Sequence, residues 1–480
     1  MSISSSQPMH AFFDQLARVR DNWIAKNAYY YWELTKLHRL LIPEGKKVLE
    51  IGCGTGDLLA GLKPKVGVGI DFSYEMTKAA TVKYPKLKFQ LMDAHRLEFK
   101  ETFDYVILSN LVGYTEDIWQ VFRQLRSVCH IRTRIVITNY NYLWQPLLTL
   151  AEKLHLKMPD RIQNWLPQEF IAHFLYLNGF EVVKKGKYLH CPVDIGYVSD
   201  VINTIGAVTP FVSQLGLIEY LVCRPTFLYE QKPKDTSVTV VVPTHDEAGN
   251  IETIVELMPK IGTKTELVFV DLPGEDGTAS KIKQVIKKYK GPLTVKYVKQ
   301  PEKTGKVGAL RLGVEHSAGD IVLIYDADVT IPPDDLIKFY LSLVEDKAEV
   351  INGTRLVYPT EKGAMRLINH LGNLVFARLF SWGLGQHFTD TLCGSKGFWR
   401  RDFADFESTR TQFETSDRYG DFYLLLGAYR RNLKIAEVPV RYKTRKYGDT
   451  KLDRFRNGWQ FWKMFWLFFV NYKLFHKASF

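Results

Sequence analysis

Val48-Leu-Glu50-Ile-Gly52-Cys-Gly54-Thr-Gly56-Asp57 runs directly into Leu58-Leu-Ala-Gly-Leu62. A short apolar run, three glycines at alternate positions and a helical stretch predict a strand, a sharp turn and a helix. Glycines there let the backbone leave the strand abruptly and approach a ligand with no Cβ in the way. Many tight turns share that feature, so the residues downstream decide its meaning. Val66-Gly-Val-Gly-Ile70 predicts a second strand closed by Asp71, about twenty residues past the loop, the spacing at which a carboxylate reaches ribose hydroxyls. A third strand, 88–92, leads into Asp93-Ala94, which sets an acid near the edge of an adenine. A fourth, 103–108, runs into Ser109-Asn110, and a fifth covers 134–138. Strands alternating with helical stretches predict βαβ units on a parallel sheet.

The order Glu50-x-Gly52-x-Gly54-x-Gly56, the acid closing strand two and the Asp93-Ala94 after strand three resemble the class I S-adenosylmethionine-dependent methyltransferases over residues 25–225. A nicotinamide site would favour G-x-G-x-x-G over a pyrophosphate instead. The resemblance implies that Glu50, Gly52, Gly54, Gly56, Asp71, Asp93 and Ala94 bind S-adenosylmethionine. Methyl transfer is an in-line displacement governed by positioning, so it demands no particular side chain. His95, Asn110 and Tyr114 fall near the cleft, but single residues of these types are as readily structural, and none is given a role.

With 480 residues the chain exceeds one hydrophobic core. A composition 46% hydrophobic and 24% charged belongs to a folded protein rather than a disordered one. Its five cysteines, Cys53, Cys129, Cys191, Cys223 and Cys393, are scattered with no C-x-x-C pair, which excludes a disulfide framework and a zinc knuckle and points to reducing cytosol. Residues 1–15 lack a basic stretch before an apolar core, so no signal peptide is expected there. No window holds the ~18–20 apolar residues that span a bilayer.

The first α/β pattern fades after Cys223, and the segment 224–236, with Pro225, Pro233 and Gln-Lys-Pro-Lys-Asp, reads as a linker. A second series restarts at Ser237, with strands at 238–242, 266–270, 294–298, 321–325 and 349–352. We therefore expect two Rossmann-like α/β domains, at 1–225 and 237–452, a linker at 226–236, and an amphipathic aromatic helix at 453–480.

The second series opens with Pro243-Thr244-His-Asp-Glu247-Ala-Gly-Asn250, places Asp271 after its second strand, and ends its fourth strand in Asp326-Ala-Asp328. Two carboxylates at i and i+2 off a strand end can share a hard cation, and that cation can neutralise a diphosphate leaving group. With Gly305-Lys306-Val-Gly-Ala-Leu-Arg311, Asn352-Gly-Thr-Arg355, Thr389-Asp390-Thr-Leu-Cys-Gly394-Ser-Lys396, Pro439-Val-Arg441 and Arg445-Lys-Tyr-Gly448-Asp-Thr-Lys451, these residues resemble the family 2 glycosyltransferases over 237–465. Within that family they are most similar to the dolichyl- and polyprenyl-phosphate sugar transferases.

The resemblance implies that Pro243, Thr244, Glu247 and Asp271 hold base and ribose. It places Mg2+ or Mn2+ on Asp326 and Asp328, sets Lys306, Arg445 and Lys451 over the phosphates, and puts Arg355 and Arg366 on an acceptor phosphate. Asp328 and Arg445 are the candidate catalytic groups. Asp390 joins them as the base that a sugar hydroxyl acceptor would need, whereas an ionised phosphate needs none. Any single arginine of this set is as readily a surface ion pair. Three positions depart from the family pattern: Leu272 follows Asp271 in place of a second acid, Thr330 stands where a glutamine is common, and the acid of the acceptor region is Asp421. No Q-x-x-R-W follows, against a processive polysaccharide synthase.

The formal charge of +12 gathers at the end, where residues 430–480 carry thirteen Lys and Arg against three Asp and Glu. Phe455, Trp459, Trp462, Trp466 and Phe469 fall on one helical stripe and Phe461, Phe465, Phe468 and Tyr472 on its neighbour, flanked by Arg454, Arg456, Lys463, Lys473 and Lys477. Aromatic and basic residues so mixed suit an anionic membrane surface; packing on the protein's own domain is the plainer use of the same stripe. No nucleic-acid motif accompanies the charge.

The expected protein is a bifunctional enzyme peripheral on the cytoplasmic face of a membrane. One half transfers a sugar, with inversion, from a nucleotide-diphosphate sugar to a polyprenyl phosphate or related glycan. The other methylates something in the same pathway. Two alternatives stand beside it: a glycosyltransferase with a non-catalytic S-adenosylmethionine-binding scaffold, and a membrane-associated adaptor with relict sites.

Overall fold

A computed structural model describes residues 9–470 except 162–163, 210, 229–235, 302–303, 359–366, 408–419, 446, 448–458, 460–461, 464 and 468. The chain forms two compact units, one reaching Glu230 and the other running from Gln231 to Phe468.

In the first unit β1 (Lys47–Ile51), β2 (Val66–Asp71), β3 (Lys88–Leu91), β4 (Phe103–Ser109), β5 (Cys129–Tyr140), β6 (Phe180–Tyr188) and β7 (Ile218–Pro225) form one sheet in the order β3-β2-β1-β4-β5-β7-β6. The five strands expected from the sequence pair in parallel. The sheet is mixed rather than parallel throughout, because β7 runs antiparallel between β5 and β6. This also corrects the start of the linker segment. Residues 224 and 225 belong to β7, and the buried Arg224 guanidinium lies 2.9 Å from Glu181 Oε2 on β6.

In the second unit β8 (Val238–Thr244), β9 (Thr265–Asp271), β10 (Thr294–Lys299), β11 (Ile321–Ile324), β12 (Val350–Thr354), β13 (Lys396–Trp399) and β14 (Ile435–Pro439) form the order β10-β9-β8-β11-β13-β12-β14. Only β13 runs against its neighbours in this sheet. Val-Thr-Val-Val-Val on β8 and Leu-Val-Phe-Val on β9 are buried along their length, as expected for central parallel strands covered on both faces. Edge strand β10 leaves residues at both its ends exposed.

In each sheet the parallel strands run outward in opposite directions from one pair, β1 and β4 in the first and β8 and β11 in the second. Connections leave such a point in opposite directions, so the carboxyl ends of the two strands open into a crevice. Both motif sets fall at these ends.

No helix among the described residues is long and apolar enough to cross a membrane. Arg366, Lys451 and most of the 453–480 segment lie outside the described residues. Within that segment Phe465 is buried, its ring edge-on to Phe380 at 5.6 Å, whereas Trp459 and Trp466 are 74% and 57% exposed.

Candidate functional sites

At the first crevice, Gly52, Gly54 and Gly56 take φ of 75°, 50° and 81°, left-handed values that favour glycine. The turn is tied to the end of β2. Gly52 N and Cys53 N donate to Ile70 O at 2.8 and 2.9 Å, and Gly54 N donates to Asp71 Oδ2 at 2.9 Å. Asp71 Oδ1 accepts from Ser73 N at 2.9 Å, so this buried carboxylate fixes two loops at once. Asp93 is exposed and is held by His95 through its backbone N at 2.8 Å and its ring Nδ1 at 2.7 Å, while Ala94 packs against the core beside it.

Glu50 is buried and accepts from Leu59 N at 3.1 Å. Burial raises its carboxyl to about 8, against the opposing pull of Arg20. The folded chain therefore keeps Glu50 neutral at pH 7, while the unfolded chain ionises it from its ordinary 4.5 upward. Stability from this group falls as pH climbs between those values and is flat below them, so Glu50→Gln is expected to gain on the native chain with pH. The unfolding free energies should be close near pH 5 and separate towards pH 8, by a few kcal/mol at about 1.4 kcal/mol per pH unit. Parallel pH profiles would mean that Glu50 is ionised in place.

Arg20, which no motif singled out, lies against the same loop. A Cβ on Gly54 would sit 3.0 Å from the Arg20 Cζ and Nη2, and Arg20 Nε is buried with no hydrogen-bond partner among the described residues. Thirty-four positions separate it from Gly54 and no local pattern marks it.

At the second crevice Thr244 and Asp271 end β8 and β9 side by side. Thr244 Oγ1 donates to Asp271 Oδ1 at 2.9 Å, while Asp271 Oδ2 is buried without a hydrogen-bond partner among the described residues. Burial raises this carboxyl, with Thr244 pulling the other way. An acceptor held in that state is suited to an N–H of a ligand. Glu247 Oε2 accepts from Asn250 Nδ2 at 2.7 Å, and Pro243 precedes Thr244 on the same strand.

Asp326 and Asp328 follow β11. Lys306, in the first turn of the helix Gly305–Glu315, places Nζ 2.6 Å from Asp326 Oδ1, and Arg445 places Nη2 2.9 Å from Asp328 Oδ2 and 3.7 Å from Glu247 Oε1. Burial opposes ionisation of Asp326, but Lys306, with Lys396 and Arg355 adding to it, holds the carboxyl below its ordinary value. Thr330 donates to Asp328 Oδ1 through its hydroxyl at 2.8 Å, so that departure from the family pattern supports the aspartate. Gly394 packs directly against this ion pair, and a Cβ there would displace the Asp326 carboxylate and crowd the Lys306 ammonium.

No group of three His, Cys, Asp or Glu side chains able to hold a metal occurs among the described residues. Mg2+ characteristically takes one or two carboxylates and completes its shell with substrate phosphates and water. Two carboxylates at the crevice, Asp326 and Asp328, would suit one hard cation whose shell substrate phosphates and water complete.

Asp390 is enclosed rather than open to the crevice. It is fully buried and accepts from Arg355 Nε at 2.7 Å, Arg355 Nη2 at 2.9 Å, Asn373 Nδ2 at 2.8 Å and Leu392 N at 3.0 Å. Burial works to raise its pKa, but Arg355 outweighs it and the carboxyl stays below its ordinary value. A carboxylate so engaged is a poor base, and its visible work is to anchor Arg355. That guanidinium also faces the Tyr442 ring at 5.2 Å. Glu437 on β14 builds the turn that carries Asp390, accepting from Thr389 N at 2.7 Å, Asp390 N at 3.1 Å and Asn352 Nδ2 at 3.1 Å. Tyr442, Glu437 and Asn373 had no sequence signal, since each acts through partners far along the chain.

Comparison with known proteins agrees with this division. Residues 239–407 match the model of glycosyl transferase family 2, and residues 24–185 match a methyltransferase domain. A dolichyl-phosphate hexose transferase of Haloferax volcanii is 30% identical over 222 residues, covering 46% of this chain and 89% of its own. The glycosyltransferase AglJ of the same organism is 31% identical over 229 residues, covering 47% and 70%. A dolichyl-phosphate beta-glucosyltransferase of Trichomonas vaginalis is 26% identical over 235 residues, covering 46% and 67%.

Proposed function

The chain belongs to the family 2 glycosyl transferases and carries a methyltransferase domain as well, and from that premise we propose a bifunctional enzyme of one glycan pathway. Its C-terminal half transfers a sugar from a nucleotide-diphosphate sugar, with inversion, to a polyprenyl phosphate or related glycan acceptor. Its N-terminal half binds S-adenosylmethionine and methylates a component of that pathway, working on the cytoplasmic face of a membrane.

The observation that carries the first part is the second crevice. Asp271, with its orphaned oxygen, holds an N–H of the base, and Thr244 and Glu247 line the ribose. Asp326 and Asp328 would hold Mg2+ or Mn2+, which would supply the positive charge a departing diphosphate requires. Lys306 and Arg445, paired to those carboxylates, turn to the phosphates as these arrive. Lys451 adds to them. Arg355, fixed by Asp390, and Arg366 grip the acceptor phosphate. An ionised phosphate oxygen attacks the anomeric carbon while the bond to the diphosphate breaks, its electron pair leaving with the diphosphate.

Sequestration of Asp390 favours a phosphate acceptor over a sugar hydroxyl, because a phosphate has no proton to lose at neutral pH. In the first crevice the three glycines admit the methyl donor, Asp71 and Asp93 face its adenosine, and Arg20 answers its carboxylate.

A screen of UDP-, GDP- and dTDP-sugars with Mn2+ and a short polyprenyl phosphate, read by mass spectrometry with and without S-adenosylmethionine, tests the reading. One donor should add a single sugar to the lipid phosphate. A polyprenyl phosphate left unchanged by every donor would refute it.

A further inference from the structure

Three connections of the first unit meet at one edge of its sheet. Tyr140, closing β5, and Tyr188, closing β6, both pair with Ile218 at the start of β7. Helix α1 (Gln145–Lys153) follows β5, helix α2 (Tyr197–Val208) follows β6, and a short turn, Val212–Leu215, leads into β7. Hydrogen bonds tie them together. Trp144 Nε1 donates to Leu215 O at 2.7 Å, Asn141 Nδ2 donates to Gly216 O at 2.9 Å, and Ser213 N donates to Thr209 O at 2.9 Å. Ile51, which ends β1 before the glycine loop, pairs with Leu108 and Leu108 with Ile137, so that loop opens on the same edge.

Helix α2 is amphipathic in reverse. Its buried residues are Ser199 and Gly206, and polar contacts pin that side to the protein. Ser199 Oγ donates to Val193 O at 2.7 Å and accepts from Ile195 N at 2.6 Å. Asn203 Oδ1 accepts from His190 N and Cys191 N, both at 2.7 Å, while its Nδ2 donates to the Tyr29 hydroxyl at 3.0 Å. The apolar stripe faces away: Tyr197, Val198, Ile202 and Ile205 are 41–82% exposed. A surface helix of a water-soluble protein turns such a stripe to the core. Helix α1 buries no residue either, and Leu147, Leu150 and Leu154 stand 53–59% exposed at helical spacing.

Beyond α2, Phe211 is 91% exposed at a φ of 54°, a region that a bulky residue occupies under strain. Residues 188–217 contain no Lys or Arg, in a chain that has 64 of them. The acids nearby, Glu152 and Asp200, fall off the two stripes by helical spacing. Cations stand at the border. Lys153 is exposed at the end of α1, the Lys26 ammonium donates to His155 O just past it, and the Lys36 ammonium lies 4.7 Å over the half-exposed Trp32 ring. Trp32 in turn neighbours Tyr29, the partner of Asn203 on α2.

We propose that α1, α2 and Phe211 form a membrane-docking face that seats the first unit in the interfacial layer of an anionic bilayer. The inference deepens the membrane part of the function proposed above and rests on that part alone. The leucines and isoleucines enter the acyl boundary, Tyr197 and Trp32 suit the headgroup level, and Lys26, Lys36 and Lys153 reach anionic headgroups. At 9 and 12 residues the two helices are too short to cross, so they lie in the surface. A fluid phase closes round side chains that stand nearly clear of the chain, such as Phe211 and Tyr197, whereas a protein partner would need a shaped pocket for each. Docked in this way, the sheet edge that carries the glycine loop faces the lipid.

The test is flotation of the full chain with vesicles of equal parts phosphatidylcholine and phosphatidylglycerol. The native chain should float, and should bind vesicles of phosphatidylcholine alone more weakly. Two double variants, Ile205→Gln with Phe211→Asn and Leu147→Gln with Leu150→Gln, should each weaken partition roughly tenfold. Asparagine accepts the left-handed backbone at 211, and all four side chains are exposed, so the unfolding temperature should hold. Val82→Gln, at a 79% exposed position elsewhere in the same unit, should partition like the native chain. Sugar transfer to a short, soluble polyprenyl phosphate needs no vesicle and reports the catalytic reading separately. Double variants that float within about twofold of a floating native chain would leave the membrane reading standing and sink this face. A native chain that stays in the buffer, equal binding to both kinds of vesicle, an equal loss in Val82→Gln, or a native dimer that the double variants turn into monomers would each overturn the proposal.

Discussion

Asp328→Asn is expected to lower sugar transfer roughly 10²–10³-fold or more in kcat, the scale of losing a preorganised charge at a developing anion. The side chain keeps its size, its Thr330 donor and its place after β11, and loses the charge that faces Arg445 at 2.9 Å. It is half-buried at the crevice, so the fold should tolerate the change. A thermal unfolding transition of the second unit that matches the native chain serves as the control for folding. A variant that transfers sugar at more than a tenth of the native rate, with metal present, contradicts the role given to this aspartate.

Asp390→Asn is expected to act on stability before chemistry. It leaves the largely buried Arg355 guanidinium without its counter-charge, and breaking a buried pair from one side costs about 3–5 kcal/mol. Unfolding of the C-terminal unit should move to lower temperature by a corresponding amount. Replacing both partners, Asp390→Asn with Arg355→Met, should recover much of that loss, because no charge is then left unpaired. If instead the single variant melts like the native chain and the acid limb of its pH–rate profile disappears, Asp390 is a base after all. That outcome would also favour a hydroxyl acceptor.

The glycine turn and the parallel strands were legible because Val48–Ile51 of β1, and Val238–Val242 of β8, are apolar runs bounded by turn residues. Strand β6 was not. Glu181, Lys184, Lys185 and Lys187 interrupt its apolar residues, although Lys184 is buried and Lys187 pairs with Glu219 at 2.8 Å. Strand β13 is only four residues long and buries Lys396, whose ammonium bonds Asn352 Oδ1 at 2.9 Å. Buried charges of this kind carry no apolar signal, since their partners lie on other strands.

The same reason separates what could be read of the sites. Asp326 and Asp328 stand two positions apart in sequence and announce themselves, as do Gly52, Gly54 and Gly56. The Arg355–Asp390 pair joins residues 35 positions apart, so two separate roles were expected where the structure has one assembly. Arg20 becomes visible only when the fold brings its helix against the glycine loop.

Calorimetric titration of UDP and GDP into the full chain, with Mn2+ and then with a chelator, is the most direct measurement. The account predicts that one of these diphosphates binds in the presence of Mn2+, and that binding weakens at least about tenfold in chelator or in Asp326→Asn, a loss of about 1.4 kcal/mol. Binding of equal strength with and without the metal, in native chain and variant alike, would contradict the carboxylate pair as the seat of donor recognition.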